Sequence, residues 1–352
     1  MKKFVRNTVI FIVIFAVLFA YAQNVFHYRW PDNTYSKMVD YKNQPADSVD
    51  VAVFGTSEMY QAYAPIVTYE AEGLTGFNFA VQNRSAMTTY YQFRYMLKHQ
   101  RPKVVVCDFV CLFDNALPSE SETIFRRVVD TMPDPVVRFE LIREICRVDP
   151  TQQFMSWMFP VFRYHSMWKE FDPESLTWDT KKDPFYACFD KGANLNSAPF
   201  EGEAVEITPE LWQTDRAADP IQDFSMAYYD RMIADCKELG IPVVCILTPK
   251  VCDADVYESN VPAMQAYFES KGVTFLNYNT YEQVQRLGLS QPEDYFDPAH
   301  LNTQGAVKFS RAVAADLKAM FPDLPDRRSD ARIAAAWDAD LAVFKDMVEE
   351  VK

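Results

Sequence analysis

Five short apolar runs, each handing over to a segment with helical spacing, constrain this chain more than any other feature of its 352 residues. The runs fall at 49–54, 76–80, 103–109, 243–247 and 273–276, and are rich in Val, Ile, Leu and Phe. Their lengths and β-branched content predict strands buried on both faces. Helical patterns at 57–72, 85–100, 221–239, 263–271 and 303–320 follow or separate them. Strands joined through helices need crossover connections, which predicts a parallel sheet. The expected fold is therefore α/β, a three-layer sandwich around a five-stranded, mostly parallel sheet. Open parallel sheets bind ligands at the carboxyl ends of their strands.

At that edge the first run ends in Val51-Ala52-Val53-Phe54-Gly55-Thr56-Ser57-Glu58. Gly55 permits a sharp turn, and Ser57 then stands where a helix begins, among free backbone N–H groups. Such a hydroxyl suits a nucleophile whose attack creates an oxyanion; it also suits a simple helix cap. The fifth run is followed by Asp297-Pro298-Ala299-His300-Leu301-Asn302-Thr303-Gln304-Gly305. An acid three residues before a histidine, with a proline holding the turn, lets the carboxylate reach one imidazole nitrogen while the other faces outward. That is the orienter and base of a nucleophile triad. Both segments follow strands of one sheet, so the separation of 300 − 57 = 243 residues does not keep them apart. His165 is the rival base, without an acid at comparable spacing; His99 reads as a solvated helix end, and His27 abuts the membrane segment.

These two stretches, in this order at opposite ends of an α/β pattern, resemble the SGNH (GDSL-like) hydrolase superfamily. The resemblance runs from about Val51 to Phe321 and also draws on Phe77-Asn78-Phe79-Ala80, 103–109 and 240–249. It is nearest to membrane-anchored bacterial members related to the D-alanyl-lipoteichoic-acid and alginate O-acetylation proteins. It implies a flavodoxin-like sheet and a catalytic set of Ser57, Asp297 and His300. It also implies an acyl-serine, no cofactor, and a membrane-bound O-acyltransferase as partner. The implied oxyanion donors are the Ser57 amide, Ala80 and Asn83. The chain departs from the family's pattern here, with Ala80 where Gly is usual and Asp108, with Asn115 further on, where Asn follows the third strand. Glu58 stands where many anchored relatives carry His, a carboxylate beside a nascent oxyanion. The substrate implied is an O-acylated cell-envelope or secreted polysaccharide. The alternatives are a catalytically degenerate polysaccharide-binding or scaffold subunit of an acylation complex, and an unrelated anchored adhesion domain.

The beginning of the chain assigns a compartment. Lys2, Lys3 and Arg6 precede an apolar run from Thr8 to Ala22, long enough with its flanks to cross most of a bilayer. The basic end stays cytoplasmic and the remainder is exported as a single-pass protein of the cell membrane. Ala20-Tyr21-Ala22 also fits a cleavage site; Phe26, Tyr28 and Trp30 continue the segment in interfacial style and favour an uncleaved anchor. Seven scattered cysteines are an odd set, so a disulfide framework is not expected, and no second Cys pair or His cluster accompanies Cys107 and Cys111 to make a metal site. The net charge of −14 argues against nucleic acid and against a polybasic hold on lipid.

The expected divisions are an anchor at 1–25, a linker at 26–48, an α/β domain at 49–115, and its continuation at 221–321. Between the halves, 116–220 reads as a mostly helical, aromatic-rich insertion over the sheet edge. Its Trp and Tyr faces suit sugar stacking or simply the insertion's own core. Residues 322–352 form an amphipathic helix, with Ile333, Trp337, Leu341, Phe344 and Val348 on one face.

Overall fold

A computed structural model describes residues 1–26, 34–170, 188–251 and 254–350. His27, Tyr28, Trp30 and Cys252 lie outside the described residues. The chain divides into two compact units. One is Met1–Ser36 with Leu117–Phe185, the helical unit; the other is Lys37–Ala116 with Tyr186–Lys352, the α/β unit.

The strands of the main sheet are β1 (Val51–Phe54), β2 (Gly76–Asn78), β3 (Val104–Cys107), β4 (Val243–Leu247) and β5 (Thr274–Asn277). All pair in parallel, in the order β2-β1-β3-β4-β5. A two-stranded antiparallel hairpin, β6 (Tyr295–Asp297) and β7 (His300–Leu301), stands apart from them. The helices, in chain order, are α1 (Lys2–Val25), α2 (Thr34–Asn43), α3 (Ser57–Ala62), α4 (Pro65–Glu72), α5 (Ala86–Leu97), α6 (Glu122–Val129) and α7 (Pro135–Val148). After these come α8 (Phe154–Met158), α9 (Pro160–Tyr164), α10 (Asp223–Leu239), α11 (Ala254–Lys271), α12 (Tyr281–Leu287), α13 (Thr303–Met320) and α14 (Ala331–Glu350).

Side chains alternate across the sheet, and each set meets its own helices. Val51, Val53, Val104, Val106, Val244 and Ile246 pack with Phe309, Val313 and Leu317 of α13. On the opposite face Phe54 meets Phe93 of α5, and Phe109 meets Tyr229 of α10. The expected three-layer sandwich is thus observed, with all five strands parallel.

Several boundaries differ from the sequence expectation, each for a local reason. The single helix expected over 57–72 is two helices, because the residue before a proline is pushed to extended backbone. Ala64 has φ −102° and ψ 104°, and Pro65 then opens α4 as its first residue. The expected linker 26–48 contains α2, whose Met38 and Tyr41 are buried in the α/β unit. The Tyr41 ring packs on Phe77 and Phe79, and its hydroxyl donates to the Met96 carbonyl at 2.8 Å. The helical unit ends before 220: residues 188–222 belong to the α/β unit, to which Asn78 and Asn194 bind them through backbone bonds to the Lys191 and Tyr60 carbonyls. Helix α12 and strand β6, absent from the sequence reading, separate β5 from His300, which opens β7.

The C-terminal helix packs on its own unit. Ile333, Trp337 and Phe344 of α14 are buried with Ala64, Ile66, Val67 and Tyr69 of the α3–α4 region. The Trp337 and Tyr69 ring centroids lie 5.1 Å apart. Cys107, Cys111, Cys236 and Cys245 are buried free thiols and Cys146 is a half-buried one. Burial pushes the Cys111 and Cys236 thiols up to about 12.

Trp337→Ala is expected to destabilise the fold by about 3–5 kcal/mol, the cost of emptying a large buried aromatic site, read as a lower urea midpoint at unchanged slope. A pH dependence follows from Asp190, which is 8% exposed. Burial pushes its carboxyl up to about 8, with the Lys37 charge pulling the other way. An acid whose folded pKa exceeds its unfolded value of about 3.9 holds its proton longer in the fold. Its contribution to stability is therefore greatest below pH ~4 and declines as pH rises toward ~8. Asp190→Asn is expected to remove that decline, measured as thermal midpoints across the same window.

Candidate active site

The turn before Ser57 is built by the register of two neighbouring strands. Phe54 of β1 lies opposite Cys107 of β3, so the next residues on each, Gly55 and Asp108, run side by side. A β-carbon on Gly55 would stand 2.6 Å from the Asp108 carboxylate and 2.5 Å from the Met59 β-carbon. Real β-carbons do not approach so closely, so this position requires glycine. Asp108, fully buried, accepts through one oxygen from the Thr56 N–H at 2.5 Å and from the Thr56 hydroxyl at 2.9 Å. Burial raises its pKa, opposed by the Thr56 bonds and by Arg84. The Gly55 carbonyl accepts from the Val81 N–H at 3.1 Å and from Arg84 Nη1 at 2.6 Å. Arg84 is in turn held by Gln92 at 3.1 Å. The chain is thus fastened on both sides of the turn that presents Ser57.

Ser57 is the first residue of α3, behind the extended Thr56. Its N–H has no acceptor within its helix, as for any first-turn amide. Its Oγ lies 2.9 Å from His300 Nε2. On the other side of the ring, His300 Nδ1 lies 2.9 Å from each oxygen of Asp297. An ionised carboxylate only accepts, so Nδ1 carries the proton and Nε2 offers its lone pair to the Ser57 hydroxyl.

The spacing of Asp297 and His300 is enforced locally. Besides the imidazole, Asp297 Oδ1 accepts the N–H groups of Ala299 at 2.7 Å and His300 at 2.9 Å. One carboxylate therefore shapes the Pro298-Ala299 turn and orients the ring. The Val251 N–H donates to the Pro298 carbonyl at 3.0 Å, tying this turn to the loop after β4. Asn302 caps α13 through Gln304 and Gly305, and its side-chain amide donates to the Glu293 carbonyl at 2.7 Å. At Gly305 a β-carbon would stand 2.1 Å from the Asp294 carbonyl oxygen.

The sequence-predicted oxyanion donors are placed less uniformly. The Ala80 N–H donates to Asn78 Oδ1 at 3.0 Å, and its carbonyl accepts from the buried Lys37 at 2.6 Å. Its amide is therefore not offered to a ligand, which corrects the expectation for Ala80. The reason lies in Asn78, whose side chain turns back on its own strand end and also donates to the Met59 and Tyr63 carbonyls. Asn83 is exposed in the loop after β2, in the left-handed region at φ 44°. Among the sequence-predicted donors, it is the Ala80 amide that a protein acceptor already holds. His165, the rival base, is exposed on the helical unit.

Glu58 is held by groups that the sequence reading did not single out. Its carboxylate accepts from Lys250 Nζ, from the Thr248 hydroxyl at 3.3 Å and from the Tyr257 hydroxyl at 3.0 Å. Lys250 is completely buried, and its ammonium lies 3.3 Å from the Tyr257 ring centroid. A full opposite charge thus offsets the carboxylate beside Ser57. The signal for Lys250 was its place, three residues past the end of β4 at the ligand-binding edge. Among the described residues, no group of three or more His, Cys, Asp or Glu stands together as a metal site.

No protein-family model matches the chain, and no curated protein matches it. Similarity to solved structures is low, as two of them show. One is a Bacteroides fragilis protein provisionally described as an acylhydrolase, with TM-score 0.37 and 11% identity, covering 84% of this chain and 99% of its own. The other is a GDSL-like lipase of Bacteroides thetaiotaomicron, with TM-score 0.36 and 12% identity, covering 82% of this chain and 98% of its own.

Lys250→Met is expected to cost about 3–5 kcal/mol, because it leaves Glu58, 11% exposed, without its countercharge. Glu58→Gln combined with Lys250→Met is expected to recover most of that loss. Urea unfolding of the single and double variants reads the difference.

Proposed function

We propose that this chain is a serine-dependent esterase or O-acyltransferase of the SGNH (GDSL-like) type. The observation that carries the reading is the continuous line from Ser57 Oγ through His300 to Asp297, with 2.9 Å at each step. His300 Nε2 takes the Ser57 proton as Oγ attacks the acyl carbon, and the Asp297 carboxylate stabilises the imidazolium that results. The electron pair moves onto the carbonyl oxygen, which the Ser57 N–H faces at the helix start. As that intermediate collapses, the bond to the leaving alcohol breaks, and His300 returns the proton to it. The serine ester then passes its acyl group to water or to a sugar hydroxyl by the same steps in reverse.

The finer parts of the reading have separate supports. Export and anchoring rest on α1, which over Lys2–Gln23 is apolar enough to cross a membrane, with mean hydropathy 2.2. In this reading the N-terminus is cytoplasmic and the α/β unit lies outside, following the basic residues Lys2, Lys3 and Arg6. The O-acylated polysaccharide and the membrane-bound O-acyltransferase partner rest on the sequence resemblance. A second reading, a non-catalytic polysaccharide-binding or scaffold subunit, is favoured by one observation: the Ala80 amide, one of the expected oxyanion donors, is committed to Asn78.

A fluorophosphonate probe separates the two. Wild type is expected to label at Ser57 and Ser57→Ala is not, while Ser57→Ala and His300→Ala each lower ester turnover by on the order of 10^4-fold or more. An unlabelled wild type, together with unchanged polymer acylation in cells carrying Ser57→Ala, defeats the enzyme reading.

A further inference from the structure

The helical unit exposes far more apolar surface than its size explains. Beyond Met1 and α1, the described residues include seven exposed large apolar side chains. Five of them, Val136, Phe139, Met155, Phe162 and Trp168, lie on this unit, against Val205 and Val343 on the much larger α/β unit. Scattered exposed apolar residues are ordinary, whereas a concentration on one small unit marks a contact surface.

What covers that surface follows from how α1 is attached. The helix is bare through Leu18, and Phe19 is its first half-buried residue. There its ring meets Phe159 at 5.3 Å; one turn later Gln23 Oε1 accepts the Val161 N–H at 3.1 Å, and Val25 is buried. At about 1.5 Å per residue, a hydrocarbon layer of about 30 Å takes up about 20 residues. Counted from the basic N-terminus, that layer ends within a turn or so of Gln23. The Phe159–Val161 contact therefore sits at the membrane boundary, and Met155 and Phe162 lie within a turn of it along the chain. Phe139 joins the same rim through an edge-on contact with Phe154 at 5.7 Å. Trp168 carries Lys169 near its face at 5.9 Å, an aromatic and a cation of the kind found at headgroup level. Residues 117–170 hold eight acidic and seven basic side chains, so attraction to anionic headgroups is not the driving force.

We infer that the rim formed by Val136, Phe139, Met155, Phe162 and Trp168 is seated in the interfacial layer of the bilayer that α1 spans, at the C-terminal end of that helix. The inference rests on reading α1 as a membrane-spanning anchor, and goes beyond it in giving the helical unit a second, in-plane hold on lipid.

The test uses the full chain reconstituted in phosphatidylcholine–phosphatidylglycerol nanodiscs whose acyl chains carry an alkyne. The photo-crosslinker p-benzoylphenylalanine replaces Phe15, Met155, Phe162 or Val205, one at a time. Lipid adducts are expected from positions 15, 155 and 162, and none above background from 205. Adducts at 15 without adducts at 155 and 162 overturn the inference while leaving the anchor standing; a protein adduct at 155 or 162 in cell membranes would then identify a protein as the occupant. No adduct at 15 refutes the anchor itself, and the inference with it. All four replaced side chains are exposed, so the substitutions leave the packing of either unit untouched.

Discussion

The pairing of β1 with β3 is the constraint on which the candidate site depends. Because Phe54 stands opposite Cys107, the chain leaves both strands at the same level, and the Asp108 carboxylate lies under the turn that β1 makes. Two hydrogen bonds from Thr56 then fix where α3 starts, and the start of α3 fixes Ser57. A one-residue slip in this pairing would invert every side chain of β1 and lift the carboxylate away from Thr56. Val51 and Val53 on one face of β1 differ in volume from Ala52 and Phe54 on the other, so such a slip would misfit the packing on both sides. The hydrophobic core thus positions the polar site.

Glu58 illustrates how a charge at a sensitive place can be made tolerable. Removing it from water is unfavourable, and its field opposes negative charge building up next to Ser57. The fold answers with Lys250 from beyond β4 and two hydroxyl donors. The resulting pair is nearly neutral from a distance and joins the two halves of the sheet across 192 residues of sequence. It sits at the edge where the strands end, so it stiffens the same rim that carries the serine.

What the sequence disclosed, and what it hid, divides by distance along the chain. Ser57 was legible because a strand, a glycine and a helix start are all local. Asp297 and His300 were legible because one turn brings them together. The five strands were readable as apolar runs, and the Trp337 face of α14 as a helical period. The break at Pro65 was missed, with one helix expected over 57–72, although a proline disfavours helical backbone at the residue before it. By contrast, the loss of the Ala80 amide to Asn78 depends on a side-chain rotamer that no spacing encodes. Lys250 meets Glu58 only through the strand order, and the burial of α2 depends on surface supplied by Phe77, Phe79 and Tyr95. Propensity speaks for neighbours in the chain; these contacts belong to the assembled sheet.

Ser57 and His300 also arrive at very different moments in the life of the polypeptide. Chains are made and begin to fold from the N-terminus. The sheet edge bearing the hydroxyl can take shape from β1, β2 and β3 while β4, β5 and the β6–β7 hairpin are still unmade. Until residues 297–301 have been made and the hairpin has closed, Ser57 has no imidazole beside it. A nascent or truncated molecule consequently lacks the Ser57–His300 contact, which forms only when the last pieces close over the first.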